Sequence, residues 1–278
     1  MSGLLGATEI REIAERIGLR PTKKLGQNFV VDANTCRRIV KSAQVGPMDV
    51  ALEIGPGLGS LTLAMLESAS SVIAIEIDDR LAIELPLTVA KHGFDSSKLT
   101  IVNQDAMEVA TLPTNPTVLV ANLPYNVSVP VLLRFLELFP TLNSGVVMVQ
   151  SEVADRLVAK PNTKNYGSPT VKANWWADLT SAGTVARSIF WPVPNVDSSL
   201  VRFVRHAPAG DEKLRLQTFR LIDAAFAQRR KMLRGALAEV CGTSAAASEV
   251  ITQAGIDPTL RGEALELSDF IKIATLSK

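Results

Sequence analysis

The stretch Val50-Ala-Leu-Glu-Ile-Gly55-Pro-Gly57-Leu-Gly59-Ser60 decides the fold. A short apolar run carrying a single acid gives way to three alternate glycines, and residues 60–68 then read as a helix. Near-continuous apolar runs mark strands buried on both faces of a parallel sheet. Glycines directly after such a strand let the backbone take positive φ and approach a ligand closely. The helix behind them offers unpaired N–H groups to the same spot.

The rhythm continues outward from this unit. Residues 72–76, 99–102, 117–121 and 146–150 are further apolar or β-branched runs. Helical stretches at 80–92 and 129–139 separate them. Strand–helix alternation of this kind predicts an α/β fold with a doubly wound, mostly parallel, Rossmann-like sheet. Two later runs, near 179–186 and 199–204, bring the sheet to seven strands as an antiparallel hairpin at its edge. Upstream, residues 8–17 read as an amphipathic helix and 21–29 as a loop. Residues 32–43 read as a second helix with Asp32 as its N-cap.

The pattern changes after Arg205. Residues 206–211 read as a linker. The helical stretches 214–228, 232–240, 245–254 and 268–276 follow, punctuated by Gly242, Gly255, Pro258 and Gly262. The expected division is therefore 1–205, the α/β domain with an N-terminal helical extension, and 206–278, a small all-helical domain.

Bulk properties set limits. The 278 residues are 47% hydrophobic and 21% charged, an ordinary globular composition, and the formal net charge is +1. Total charge therefore does not call for a polyanionic partner, and local charge has to be read instead. Cys36 and Cys241 are far apart, and with only two histidines no metal site is expected. Free thiols fit a reducing compartment. The N-terminus lacks a signal-peptide apolar core, and no apolar run reaches membrane-span length. A cytoplasmic monomer without a membrane partner is the expectation.

Three strand ends carry chemistry. Glu76 closes the second strand, about 20 residues beyond the first glycine, where an acid accepts hydrogen bonds from both ribose hydroxyls. Asp105 follows the third strand, placed to accept from an adenine amine. Asn122-Leu-Pro-Tyr125 follows the fourth. There the Asn122 side-chain oxygen and the Leu123 carbonyl accept from a planar amine. Pro124 stiffens the turn, and the Tyr125 ring stacks on the attached base. A nucleoside pocket results, and the missing phosphate-clamping lysine argues against ATP or GTP.

Five segments together resemble the class I S-adenosylmethionine-dependent methyltransferases, and more narrowly the rRNA adenine N6-dimethyltransferases. They are Lys24-Leu-Gly-Gln-Asn-Phe29, Leu52-Glu-Ile-Gly-Pro-Gly-Leu-Gly59, Asn103-Gln-Asp-Ala106, Ala121-Asn-Leu-Pro-Tyr-Asn126 and Phe190-Trp-Pro-Val-Pro-Asn-Val-Asp-Ser198. The resemblance runs from about Pro21 to the C-terminus. It implies a cofactor set of Asn28, Val30, Gly55, Glu76, Asp105 and Asn122, with Gly57 in the same turn. Val30 stands where the family usually has leucine, so a backbone contact survives there and a side-chain contact shrinks.

The implied reaction moves a methyl group from the sulfonium of S-adenosylmethionine to adenosine N6. Asn122, Leu123, Pro124 and Tyr125 form the reacting corner, Phe190 covers the second face of the flipped base, and no general base is needed before attack. The run Gln228-Arg-Arg-Lys231 with Arg234, and the set Arg16, Arg20, Lys23 and Lys24, are candidate phosphate contacts. Gln228–Arg234 and Asp197-Ser198 resemble the branch typified by bacterial KsgA. That branch implies two adjacent adenosines in the 3′-terminal hairpin of small-subunit (16S) rRNA, within an assembling 30S particle. Three alternatives remain: an Erm-type large-subunit methyltransferase, a non-catalytic nucleic-acid-binding protein on the same fold, and a nicotinamide dehydrogenase. The dehydrogenase leaves Asn122–Tyr125 and the Phe190 loop unexplained.

Overall fold

The computed structural model describes residues 3–21 and 27–277. Lys23 and Lys24, with the start of the segment ending at Phe29, lie outside the described residues. Among the described residues there are nine strands: β1 (Phe29–Val30), β2 (Val50–Ile54), β3 (Ser71–Glu76), β4 (Leu99–Asn103), β5 (Val118–Asn122), β6 (Ser144–Gln150), β7 (Ala177–Val185), β8 (Phe190–Trp191) and β9 (Ser198–Arg205). Seven form one sheet in the order β4-β3-β2-β5-β6-β9-β7. β4, β3, β2, β5 and β6 pair in parallel, whereas β9 runs antiparallel to β6 and leaves β7 at the edge. β1 and β8 form a separate antiparallel ladder, Phe29 opposite Trp191 and Val30 opposite Phe190. The sequence reading does not contain this ladder.

Helices connect the strands. They are α1 (Ala7–Arg16), α2 (Ala33–Ser42), α3 (Ser60–Leu66), α4 (Asp79–Lys91), α5 (Ser128–Leu138), α6 (Ser151–Leu157) and α7 (Ser168–Ala173). Asp32 caps α2 as the sequence predicts, accepting from Asn34 N and Thr35 N. Strand order fixes the location of the site. From β2 the chain builds outward through β3 and β4, then crosses back to β5 on the other side of β2. Between β2 and β5 the winding reverses, and the loops at their carboxyl ends splay apart to leave a crevice.

The chain divides into two compact units. One runs to Ala154 and includes Thr180–Arg205; the other comprises Asp155–Leu179 and everything from His206. The first has a core of fully buried sheet residues such as Ala51, Val72, Val120 and Val146, joined by Ile10 and Ile13 of α1. α1 is fastened to α4 by Arg16 to Glu84 at 2.5 Å and Lys91 to Glu9 at 2.5 Å. Glu84 is buried, so its carboxylate requires that partner.

The second unit contains α8 (Glu212–Ala227), α9 (Leu233–Ala236), α10 (Ser244–Gln253) and α11 (Leu267–Leu276). Leu221, Ile222, Leu237, Phe270 and Ile273 fill its core together with Tyr166 and Val171 from the earlier segment. The Tyr166 hydroxyl donates to the buried Leu265 carbonyl at 2.8 Å. Among the described residues no helix is long and apolar enough to cross a membrane. Among them, too, no group of three His, Cys, Asp or Glu side chains is placed to hold a metal ion.

Candidate active site

A cavity of about 240 Å³ opens at the carboxyl ends of β2, β3, β4 and β5. Every residue of the implied cofactor set lines it: Asn28, Val30, Gly55, Gly57, Glu76, Asp105 and Asn122. Pro124 also lines it. The topology brings together residues as far apart in the chain as Gln27 and Val131.

The floor is the glycine turn. Gly55 and Gly57 both sit at positive φ, +71° and +57°. A Cβ on Gly57 would stand 2.8 Å from the Phe29 ring, so sterics and backbone alike demand glycine there. Gly57 N donates to Glu76 Oε2 at 3.2 Å, and Asp78 N donates to Glu76 Oε1 at 2.9 Å. Glu76 is 5% exposed. Burial raises its pKa, and the backbone N–H groups of Asp78 and Gly57 oppose that shift by favouring the anion. The carboxylate is thus aimed and held before any ligand arrives. Asp105 is half-buried and caps its own turn through Met107 N at 2.8 Å.

The N-terminal arm forms one wall. Ser60 Oγ, at the start of α3, donates to the Val30 carbonyl at 2.6 Å. Gln27 Nε2 donates to Asp78 Oδ2 at 3.4 Å. Asn122 Nδ2 donates to the Asn28 carbonyl at 3.0 Å. That last bond fixes the Asn122 amide, because its NH₂ must face Asn28 and its oxygen must face away. Asn122 Oδ1 is buried and has no hydrogen-bond partner among the described residues. Buried acceptors are almost always satisfied, so an orphan at a cavity wall marks the place of a missing donor. An amine fits that place.

Leu123 and Tyr125 of the reacting corner, and Phe190, lie outside the cavity lining. Leu123 is 1% exposed, and its N–H donates to the Met148 carbonyl at 3.1 Å, which ties the turn to β6. Tyr125 is half-buried, and its hydroxyl meets Ser198 Oγ at 2.7 Å. Phe190, expected over the second face of the base, is 2% exposed and packed in the core opposite Val30. Contact with a base would require its ring to leave that packing.

Glu53 is the cavity residue whose role the motif alone does not convey. It is 1% exposed, and Thr62 Oγ1 donates to it at 2.5 Å. Burial pushes its carboxyl up to about 8; the Thr62 bond opposes this, and the negative Glu76 adds to it. The signal was a lone acid inside an otherwise apolar strand run. In the unfolded chain Glu53 ionises near 4.5. Between about 4.5 and 8 the unfolded chain therefore sheds a proton that the folded one keeps, so rising pH favours unfolding. Glu53→Gln is expected to match the parent below pH 4.5. Toward pH 8 it should become more stable, by on the order of a few kcal/mol. Urea titrations across that range check it, and a stability difference independent of pH would refute it.

The basic residues divide by their partners. Arg16 is paired with Glu84, while Arg20 is exposed. In the second unit Arg229 is spent on structure. Its Nε pairs with Glu263 Oε2 at 2.7 Å, and one terminal nitrogen donates to the carbonyls of Thr163 and Lys164 at 3.2 and 2.8 Å. Arg230, Lys231 and Arg234 are exposed. Cys36 is buried, which pushes its thiol up to about 12, outside the reactive range.

Comparison with known proteins agrees with this geometry. The family model described as ribosomal RNA adenine dimethylase matches residues 18–277. The chain belongs to the ribosomal RNA adenine dimethylase family. Among its relatives is the ribosomal RNA small subunit methyltransferase A of Leifsonia xyli subsp. xyli, 59% identical over 273 residues, covering 98% of each chain. The protein of the same name from Kineococcus radiotolerans is 56% identical over 275 residues, covering 99% of this chain and 92% of that one. In fold, the enzyme is similar to a dimethyladenosine transferase from Plasmodium falciparum, with TM-score 0.74 and 24% identity over 88% of this chain and 95% of that one. It is also similar to the 23S rRNA methyltransferase ErmE, with TM-score 0.66 and 23% identity over 90% and 99%. The enzyme is therefore an S-adenosylmethionine-dependent methyltransferase that acts on ribosomal RNA.

Proposed function

We propose that this enzyme dimethylates N6 of two adjacent adenosines in the 3′-terminal hairpin of small-subunit rRNA. It does so as a cytoplasmic monomer acting on an assembling 30S particle. The observation that carries the reading is the orphaned, buried Asn122 Oδ1 at the wall of a nucleoside-sized cavity. Small-subunit rather than large-subunit rRNA is favoured by full-length relatives at 52–59% identity that bear the small-subunit name. An intact acceptor set argues against a non-catalytic protein on this fold.

The cavity residues fit the methyl donor. Glu76 would take the ribose hydroxyls and Asp105 the adenine amine, and the Gly55–Gly57 turn and the Asn28–Val30 arm would enclose the remainder. When bound, S-adenosylmethionine supplies an electrophilic methyl group. The chain's own residues prepare the nucleophile. The lone pair on adenosine N6 is conjugated with the ring and attacks poorly. Asn122 Oδ1 and the Leu123 carbonyl accept the two N6–H bonds and draw the nitrogen toward a tetrahedral, nucleophilic geometry. Pro124 keeps these acceptors in register. Tyr125 stacks on the flipped base, and such stacking is worth roughly 1–3 kcal/mol per base. Phe190 acts from behind, bracing Val30 across the short β1–β8 ladder. Most of the acceleration comes from placement. The proton leaves the cationic amine after transfer, so no base is required in the cavity.

The deciding experiment supplies labelled S-adenosylmethionine and undermodified small ribosomal subunits, then identifies product nucleosides by mass. N6,N6-dimethyladenosine on small-subunit RNA is the expected product. Transfer to large-subunit RNA instead would assign the enzyme to the Erm type.

Helical residues 206–278 are proposed to bind rRNA phosphate through Arg230, Lys231 and Arg234. Arg230→Ala and Lys231→Ala should each leave thermal stability unchanged and reduce the salt dependence of RNA binding by about one charge. Arg229→Ala should instead cost about 1–2 kcal/mol of stability, because it removes charge-assisted bonds to two carbonyls and a carboxylate. Salt-titrated binding and thermal melts separate the two classes. An Arg230 variant with an unchanged salt slope would remove that residue from the interface.

A further inference from the structure

We propose that Ser198 is a positioning residue for methyl transfer: its hydroxyl anchors the far end of the Tyr125 ring beside the base site. The proposal rests on the reading that Tyr125 stacks on the target base.

Ser198 opens β9 opposite Gln150 of β6 and is 0% exposed. Alanine would pack at such a position without a polar cost, so a buried hydroxyl there must be satisfied. Its partner is Tyr125 Oη at 2.7 Å, the usual length for a hydroxyl–hydroxyl bond. Tyr125 lies three residues beyond Asn122. Its backbone is held by the turn, where Val127 N donates to the Pro124 carbonyl at 3.2 Å and Ser128 Oγ donates to the Tyr125 carbonyl at 3.4 Å. The ring's long axis is thus held at both ends, by the turn at Cα and by Ser198 at Oη. The freedom that remains is rotation about that axis, so less ordering is needed when a base stacks on it.

The anchor is rigid in turn. Ser151 N donates to the Asp197 carbonyl at 2.9 Å, Ser151 Oγ meets Ser199 Oγ at 2.8 Å, and Arg187 Nε pairs with Asp197 at 3.0 Å. Ser198 therefore belongs to the central sheet rather than to a loose loop, and it couples two segments 73 positions apart. Burial raises the Tyr125 pKa, so the hydroxyl keeps its proton and the bond persists through neutral pH.

The test compares Ser198→Ala, Tyr125→Phe, their combination and Tyr125→Ala in the full chain, with undermodified small subunits as substrate. Ser198→Ala and Tyr125→Phe each delete the same hydrogen bond, from opposite sides. Each is expected to lower kcat/KM for RNA about five- to tenfold, leaving the affinity for S-adenosylmethionine near that of the parent; the Tm should stay near the parent's in Ser198→Ala, fall in Tyr125→Phe, which leaves the buried Ser198 hydroxyl unpaired, and recover in the double variant. The double variant should fall no further, since the bond can be lost only once. The dimethyl-to-monomethyl product ratio should fall with it, because the second transfer needs the same base held again. An unchanged or raised kcat/KM in Ser198→Ala would overturn the proposal, the latter by making the bond a latch that holds the ring off the base. Additive losses in the double variant, or a parallel fall in cofactor affinity, would also overturn it. Should Ser198→Ala fail to fold, Tyr125→Phe alone still reads the bond. Tyr125→Ala separates the two ideas. Full transfer by that variant defeats the stacking reading itself, whereas loss there with a normal Ser198→Ala defeats only the anchor.

Discussion

Alanine at position 122 is expected to slow methyl transfer by about 10²–10³-fold, the loss seen when one preorganised polar group is removed from a reacting centre. The amide of Asn122 is already oriented in the absence of substrate. Its Nδ2 is committed to the Asn28 carbonyl, and its Oδ1 is buried with no donor among the described residues. An acceptor that is desolvated, aimed and unsatisfied gains most when the N6 amine arrives, and it needs no reorganisation to do so. Asn122→Asp is expected to rescue little. It would set a second oxygen against the Asn28 carbonyl, two acceptors with no proton between them. Single-turnover transfer with labelled cofactor measures the effect, alongside cofactor affinity by calorimetry. Because Asn28 lines the cavity proposed for the cofactor, a modest loss of affinity is expected as well, but the rate should carry the larger share. A rate above a tenth of the parental value in Asn122→Ala would remove this residue from the centre of the mechanism.

That residue was legible from sequence because parallel strands are simple to read. β2, β3, β5 and β6 are buried on both faces, so they appear as apolar runs whose ends can be located to within a residue or two. Once the ends are fixed, Gly55, Glu76, Asp105 and Asn122 fall on one edge of one sheet as a matter of topology. What could not be read depended on short or long-range pairing. β1 and β8 are two residues each, too brief for any periodicity, yet their pairing is what encloses Phe190 opposite Val30. A Phe at the mouth of a Pro-x-Pro loop has the same sequence whether it faces a base or a core. Residues 155–179 pack with the C-terminal helices through Tyr166 and Val171, while the sequence reading places their boundary at Arg205. Arg229 sits in a run of three basic side chains, and nothing local separates it from Arg230. The difference is a loop more than sixty positions earlier that presents two carbonyls to it. Ser198 is of the same kind, since its partner is visible only when β9 lies beside the β5 turn.

Glu76→Ala is expected to weaken S-adenosylmethionine binding by about 10²–10⁴-fold. On the proposed reading two charge-assisted hydrogen bonds to the ribose would be lost, each worth about 1.5–3 kcal/mol. The N–H groups of Gly57 and Asp78, which now donate to the carboxylate, lose their acceptor. Glutamine is no substitute. One of its terminal groups is an NH₂, which would face one of those backbone donors, so Glu76→Gln should recover less than a tenth of the lost affinity. The pH dependence has a definite sign. Burial holds the Glu76 pKa above the ordinary carboxylate range. With ribose hydroxyls donating to the anion, as proposed, affinity should fall on acidification while exposed carboxylates are still ionised. Calorimetry from pH 8 downward, on parent and Glu76→Ala, checks both points: the parent's affinity should decline with pH and the variant's should not. Glu53→Gln controls for the neighbouring acid, because it removes that titration without touching the ribose acceptors. If Glu76→Ala binds the cofactor within about threefold of the parent, the ribose is held elsewhere on this edge, and the preorganised carboxylate serves only to brace the glycine turn.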